Sequence, residues 1–559
     1  MKVQSLARLS QTAVYPRLDI RHAFAITLHA LWRNHGSKLR LGLAISGGVD
    51  SMALASLCRE AIDSSSRSAW TDKYSATPPG FTAFIVNHKL RSDSAHEAQK
   101  VSSELSRLGI ESRILDLDWK AYGDPQRVNN MESIARKLRY RALGHACHEQ
   151  RIDTLLLGHH RDDQAETVMM RMLAGYRGSG LRGIKFEAAI PECAGLYGVD
   201  HSGDAELGET RTQAPNPVEE GGVRIARPLL AFDKEQLVSI CQQNGVRWFE
   251  DRTNTDVTVT MRNTIRSLLS SDALPRALNK SRLLALAENK ASERDALEET
   301  ATNMFDAMDI KLDISAGEAT FTLSAEPISM MGRIEQAALL RKIINLVTPA
   351  REVPLMSLDR AIEYAFGFDL ETSPHAVQVA GVDIQRVPNR SAAVYRTVTL
   401  CRRLPTSKEK ETLQLTLCPP VHLGNEEQPA SWTQWQLWDG RYWLRVHPAA
   451  SPSAATQGCT VRVRFLDKAD IADLRKSLVS GDGNRFDNAL HLVKGNKRFT
   501  CPALVVTRSS DNTEKVVALP FLGWSADGWS QNDWDEHPDH WTWDVRYKHV
   551  DLPKSQDTG

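Results

Sequence analysis

The chain has 559 residues, with 69 basic and 69 acidic side chains and a formal net charge of +0. That balance excludes a protein that binds polyanions through a global basic field, although local patches remain open to it. A content of 42% hydrophobic and 25% charged residues excludes collagen-like, coiled-coil and wholly disordered classes, and no apolar run reaches the roughly 18 residues that span a bilayer.

The first residues carry Lys2, Arg8, Arg17 and Arg21 and no acid before Asp19. This composition is that of a mitochondrial presequence, so residues 1–37 are expected to be an N-terminal extension. From Leu39 the pattern alternates. Strand-like blocks fall at Leu39–Ile45, Phe81–Val86, Ile114–Leu117 and Thr154–Gly158. Helical blocks fall at Val49–Ile62, Ser94–Leu108, Met131–Glu149 and Asp162–Ala174. Continuous apolar strands alternating with amphipathic helices predict a parallel sheet covered on both faces, with ligands at the carboxyl ends of its strands. Two segments, 63–80 and 194–222, are Ser/Pro-rich or Gly/Pro/acid-rich and read as surface insertions. A strand at Val223–Leu229 and a helix at Asp233–Asn244, closed by Gly245, complete a catalytic domain over 38–274.

Beyond it, Ser281–Met308 and Met331–Val347 show helical spacing, which predicts a helical domain over 275–375. Strand-like runs at Val377–Ile384, Trp435–Val446, Val461–Phe465 and Ala503–Thr507 predict a strand-rich region over 376–559. The eight cysteines include no Cys-x-x-Cys pair, which argues against zinc ribbons and iron–sulfur clusters and fits a reducing compartment.

The most informative string follows the first strand: Ser46, Gly47, Gly48, Val49, Asp50, Ser51. Glycines let the backbone approach an anion, and the helix that begins there points its free N–H groups at the same place. Asp50 adds a carboxylate that could hold Mg2+ between phosphates. No Gly-x-x-x-x-Gly-Lys-Ser/Thr string occurs, so this is not a Walker A loop. A second constellation, His159, Asp162, Asp163 and Glu166, stands at a strand end and over the following helical turn. Positions 159, 163 and 166 lie near one face. It suits a metal ion or an ammonium, with Asp163 and Glu166 as contacts and His159 as base or orienter; Asp162 also suits a helix N-cap. Arginines at 136, 139, 171, 177, 262 and 266 supply cations for phosphates, and Gly175, Gly178 and Gly180 read as a flexible stretch beside them.

The loop resembles the PP-loop of the ATP pyrophosphatase superfamily. Together with Asn87-His88-Lys89-Leu90-Arg91, Glu132–Arg141, Gly158–Thr167, Arg227–Leu230, Trp248–Asp251, Asn254 and Arg262–Arg266, in this order, the chain resembles the tRNA(Ile)-lysidine synthase family. The likeness is close from Leu39 to Pro275 and loose beyond. It implies an α/β fold: a Rossmann-like parallel-sheet PP-loop domain, then a helical domain and a strand-rich C-terminal region. It further implies an ATP- and Mg2+-dependent ligase that joins lysine to C2 of the wobble cytidine of a tRNA(Ile) with a CAU anticodon, through an adenylated base. Under that resemblance Ser46–Ser51 bind ATP, and Asp50, His159, Asp163 and Glu166 are catalytic. Asp50, Asp163 and Glu166 are the metal candidates. His88, Arg91, Arg136, Arg139, Arg227, Arg262, Asn263 and Arg266 are expected to contact the RNA. Asn87 stands where the family has Asp or His, and Lys89 replaces a common Gly. The competing readings are a PP-loop tRNA 2-thiolase, which would need cysteines, and an inactive tRNA-binding relative. Lysidine belongs to bacteria and organelles, so a mitochondrial location is expected, with the cytoplasm as the alternative. No membrane association is expected, and the oligomeric state is left open, a dimer included.

Overall fold

The computed structural model describes residues 19–35, 40–63, 80–123, 127–128, 130–203, 218–249, 261–271, 274–367, 376–387, 395–418, 431–449, 459–478, 480–508, 512–531 and 540–554. It divides into two compact units: residues 1–207 with 221–295, and residues 208–220 with 296–559.

The first unit is built on six strands: β1 (Arg40–Ile45), β2 (Gly80–Asn87), β3 (Glu111–Asp116), β4 (Thr154–Leu157), β5 (Glu187–Ala189) and β6 (Arg224–Ala226), in the spatial order β3-β2-β1-β4-β6-β5. All neighbours are parallel except β5 and β6. Side chains alternate between two cores, as the period of a strand requires. Ala83, Ile85 and Leu156 enter one, and Phe84, Leu155 and Leu157 enter the other. Helices α2 (Val49–Asp63) and α3 (Ser94–Arg107) bury Met52, Leu57, Val101 and Leu105 in the first core. Helix α4 (Met131–Glu149) buries Tyr140, Leu143 and Cys147 in the second. Helices α5 (Arg161–Leu173), α6 (Lys234–Gln243) and α7 (Met261–Leu269) follow.

The boundary expected at residue 37 falls elsewhere. Ile20–His35 forms a helix, α1, whose Phe24, Leu28 and Leu31 are fully buried in the first core. These residues recur at helical spacing, so this part of the expected extension belongs to the domain. The segment expected as an insertion from 194 also begins as structure. Cys193, Val199 and Ser202 are buried, and a Cβ on Gly144 of α4 would stand 2.7 Å from Val199. The close approach explains the glycine. The insertion at 63–80 lies almost wholly outside the described residues.

In the second unit the expected break near residue 375 is crossed by a sheet. Strand Glu318–Ser324, inside the region expected to be helical, pairs with Tyr395–Arg402 from the strand-rich region. The helices Arg333–Asn345 and Asp359–Phe366 contribute Leu339, Ile343, Ile362 and Phe366 to the same core as Val398, Trp438, Trp541 and Trp543. Two runs expected as single strands are hairpins, Val377–Val379 with Val382–Val387 and Gln436–Trp438 with Tyr442–His447. The two-residue turn Ala380-Gly381 and the three-residue turn from Asp439 to Arg441 place Ala380, Gly381, Asp439 and Gly440 at positive φ, which tight hairpin turns need. Val218 bridges Tyr547, and Glu219, its side chain fully buried, ion-pairs with Arg546 at 3.5 Å.

Candidate active site

The Ser46–Ser51 loop leaves β1 and enters α2. Gly47 has φ +88, and a Cβ there would stand 2.6 Å from Val101 Cγ2, so only glycine serves. Ser51 Oγ donates to Gly48 O at 2.9 Å and lies 3.3 Å from Ser46 Oγ. Phe249 N donates to Gly47 O at 2.9 Å. The loop is thus fixed before any anion arrives. Asp50 Oδ1 is buried and accepts no hydrogen bond.

Strand β4 lies beside β1, which brings its end to the loop. A Cβ on Gly158 would stand 3.1 to 3.2 Å from backbone atoms of Asp50 and Ser51. The next residues diverge. His159 has a buried Nδ1 with no hydrogen-bond partner. Burial, and after it Arg227, Arg262 and Arg139, lowers its pKa to about 4 against the pull of Asp163. His160, which sequence reasoning passes over, is the residue that joins the two constellations. Its side chain is 2% exposed, and Nε2 lies 3.6 Å from Asp50 Oδ2 and 3.6 Å from Asp163 Oδ2. Nδ1 lies 3.3 Å from both Asp162 N and Asp162 Oδ2. The amide would need a lone pair on Nδ1 and the carboxylate a proton; three carboxylates around one ring decide for the proton. Burial alone would lower this pKa, but Asp162, Asp50 and Asp163 raise it to about 9. His160 is the N-cap of α5, so Asp162 is not. Asp162 instead accepts from Lys234 N and pairs with Lys280.

Asp163 and Glu166 are buried on α5 and face α7. Arg262 reaches Asp163 Oδ1 at 2.6 Å and Glu166 Oε2 at 2.7 Å; Arg266 reaches Glu166 Oε1 at 2.7 Å. This corrects two expectations. The arginines, expected on RNA phosphates, are held by carboxylates, and Glu166, expected on a metal, has both oxygens occupied by guanidiniums. Asn263 lies on the same helix. Glu250, Asp251 and Asn254 lie outside the described residues.

A basic group adjoins this pair. Arg227 is buried, its Nη1 donates to Lys185 O at 2.7 Å, and its Nε has no partner. Arg136 and Arg139 set their guanidiniums 4.9 and 5.2 Å from the Tyr140 ring centre. Burial and then Arg139 lower the His88 pKa to about 4, so His88 and His159 both feel Arg139. Arg91 stands apart, half exposed and 3.9 Å from Glu97. The departures at β2 form their own unit: Asn87 Nδ2 donates to Asp116 Oδ1 at 2.8 Å, and Lys89 Nζ pairs with Asp116 Oδ2 at 3.0 Å.

A fixed anion loop at a parallel strand end, with a helix N-terminus behind it and a carboxylate beside it, defines an ATP-binding domain of the PP-loop class, and the family model described as a PP-loop domain matches residues 20–272. A probable tRNA(Ile)-lysidine synthase of Schizosaccharomyces pombe is 27% identical over 500 residues, covering 87% of this chain and 92% of that protein. The tRNA(Ile)-lysidine synthases of Wolbachia sp. subsp. Brugia malayi and of Bradyrhizobium sp. (strain BTAi1) are each 31% identical, over 38% and 46% of this chain. The matches span only 39% and 58% of those two bacterial proteins. The chain is thus similar to PP-loop domains over residues 20–272 and to these tRNA(Ile)-lysidine synthases.

Proposed function

We propose that this protein uses ATP to join lysine to C2 of the wobble cytidine of an isoleucine tRNA with a CAU anticodon. The observation that carries the reading is the link through His160 between the Ser46–Ser51 loop and Asp163, which Arg262 joins to Glu166, in a chain similar to the S. pombe relative over 92% of that protein. In the first step the C2 oxygen attacks the α-phosphorus of ATP and pyrophosphate leaves. In the second the lysine ε-amine attacks C2, the C2–O bond breaks and AMP leaves.

The residues take roles that follow from their surroundings. The loop N–H groups and the Ser46 and Ser51 hydroxyls hold phosphates. Asp163 and Glu166 hold the Arg262 and Arg266 guanidiniums, so their charge positions these two cations at the site. His159, with a pKa near 4, is neutral at pH 7. It is a poor acceptor for a proton from an ammonium of ordinary pKa about 10.4, so it orients rather than deprotonates. Magnesium fits Asp50, whose Oδ1 has no partner, because this ion is commonly held by one or two carboxylates together with phosphates. When bound it would neutralise phosphate charge. Glu166 does not fit the ion, because guanidiniums occupy both of its oxygens.

The thiolase reading is disfavoured by the cysteines. All eight are buried, and burial pushes the Cys241 thiol up to about 12 and that of Cys58 higher still, the reverse of what a sulfur nucleophile needs. Incubation with ATP, lysine and a tRNA(Ile) transcript, then digestion to nucleosides and mass spectrometry, tests the reading. Lysidine is the expected product. A thiolated or unchanged cytidine would overturn it.

We also propose import into mitochondria, supported by the basic, acid-free composition of residues 1–18. A reporter fused behind Met1–Leu18 should enter the organelle; a diffuse cytosolic signal would reject the proposal.

A further inference from the structure

The loop after α5 is not the flexible stretch that its glycines suggest. Arg171, on the last turn of α5, reaches Gly180 O at 3.4 Å, Gly183 O at 3.3 Å and also Arg182 O. Gln164, between Asp163 and Glu166 in sequence, donates to Ile184 O at 3.1 Å and accepts from Ile184 N. Farther on, Arg227 binds Lys185 O. The loop is therefore stapled to the catalytic helix at one end and to the basic group at the other. A short 3-10 turn, Gly178–Leu181, stiffens its middle.

What this fixed loop presents is an aromatic ring. Tyr176 is 58% exposed, and Leu173 beside it is 65% exposed. The ring lies over Gly180, where a Cβ would stand 3.1 Å from Tyr176 Cδ1, so its orientation is set without a side chain covering it. The charged residues nearest it in sequence have one sign. From Thr167 to Phe186 there are four cations, Arg171, Arg177, Arg182 and Lys185, and no acid. An exposed ring among cations alone suits the face of a base in a polyanion: base–aromatic stacking tolerates any base, and the cations hold its phosphates. A protein partner would meet the same ring, but a segment whose charged residues are all cations favours a polyanion.

We propose that Tyr176 is a stacking platform for an unpaired base of the anticodon loop, near the base that is modified. The proposal rests on the RNA-modifying function proposed for the site. Tyr176 follows Glu166 by ten residues, a path of about 15 Å if helical throughout, which a few nucleotides cover. Tyr176 is thus a positioning residue: it acts on the RNA's placement and not on the reacting atoms.

The test uses the full-length protein and four forms of one position: wild type, Tyr176→Ala, Tyr176→Leu and Tyr176→Trp. The Ala and Leu variants should raise KM for the tRNA about ten-fold while leaving kcat at saturating tRNA and the KM for lysine unchanged, and Trp should restore the wild-type value. A synthetic CAU anticodon stem-loop carrying 2-aminopurine in its loop should be quenched on binding by wild type and Trp, and not by Ala. A Tyr176→Ala enzyme with wild-type KM and wild-type quenching would overturn the proposal, as would full rescue by Leu, which lacks a ring. If wild type itself neither binds nor modifies the RNA, the reading of the site fails and takes this inference with it. That result is distinct from a wild type that works and an Ala variant that matches it.

Discussion

His160 Nε2 stands 3.6 Å from Asp50 Oδ2, so a residue at the end of β4 touches a residue in the loop after β1. The link makes one site of two motifs more than a hundred residues apart in sequence. It also means that each partner can be removed to separate different effects.

Removing Asp50 should separate catalysis from folding. Asp50→Ala should lower ATP-to-AMP turnover at least about a hundred-fold, as removal of an electrostatic partner of a reacting phosphate does. Because Asp50 is also one of the three carboxylates about His160, the thermal midpoint should fall by a few degrees, about what a loss of 1 kcal/mol gives, while the protein stays folded. Normal AMP release by this variant would sink the assignment of the loop.

His160 predicts a pH dependence of stability. Its folded pKa, about 9, lies above the ordinary histidine value of 6.5. The stabilisation is therefore fully present below pH ~6.5 and is lost as pH rises through about 9, in total on the order of 3 kcal/mol. Urea unfolding at pH 6 and pH 9.5 should show this loss in wild type and a smaller one in His160→Gln. Equal pH slopes in the two proteins would show that the imidazolium is not held as described.

Glu166 carries two guanidiniums while almost wholly buried. Glu166→Gln keeps the shape but leaves Arg266 without its carboxylate and Arg262 with Asp163 alone, so it should cost about 3 kcal/mol of stability and abolish incorporation of labelled lysine. Wild-type incorporation by a folded Glu166→Gln protein would reject the proposed role in positioning Arg262 and Arg266 at the site.

The pair Arg136 and Arg139 predicts a salt effect. Replacing both with Ala should weaken tRNA binding and flatten the plot of log affinity against log salt by about one to two units, roughly one for each phosphate no longer neutralised. An unchanged slope in filter binding would assign these arginines to the Tyr140 ring and to Glu192.

The α/β unit is legible in the sequence because its strands and helices have different periods and few of them conflict. Met131–Glu149 is readable to the residue. The phosphate loop is legible because its chemistry is contiguous. The helix Ile20–His35 escapes a reading by composition although Phe24, Leu28 and Leu31 stand at helical spacing, because the basic, acid-free stretch ahead of it suggests a leader. The Asp439-Gly440 turn is a readable signal hidden inside a long apolar run. Two features have no signal in one sequence. Arg262 and Arg266 find Glu166 across about a hundred residues, and nothing local says which of two adjacent histidines turns towards Asp50.

The path of the chain near residue 219 bears on how the protein is made. Residues 208–220 belong to the second unit, where Val218 and Glu219 meet Tyr547 and Arg546. A ribosome delivers residues 218 and 219 more than three hundred residues before their partners. If domains fold as they emerge, Val218 and Glu219 must wait without Tyr547 and Arg546 until synthesis is nearly complete. A stop codon after residue 295 but before Trp541 would therefore leave Val218 and Glu219 without the partners that cover them.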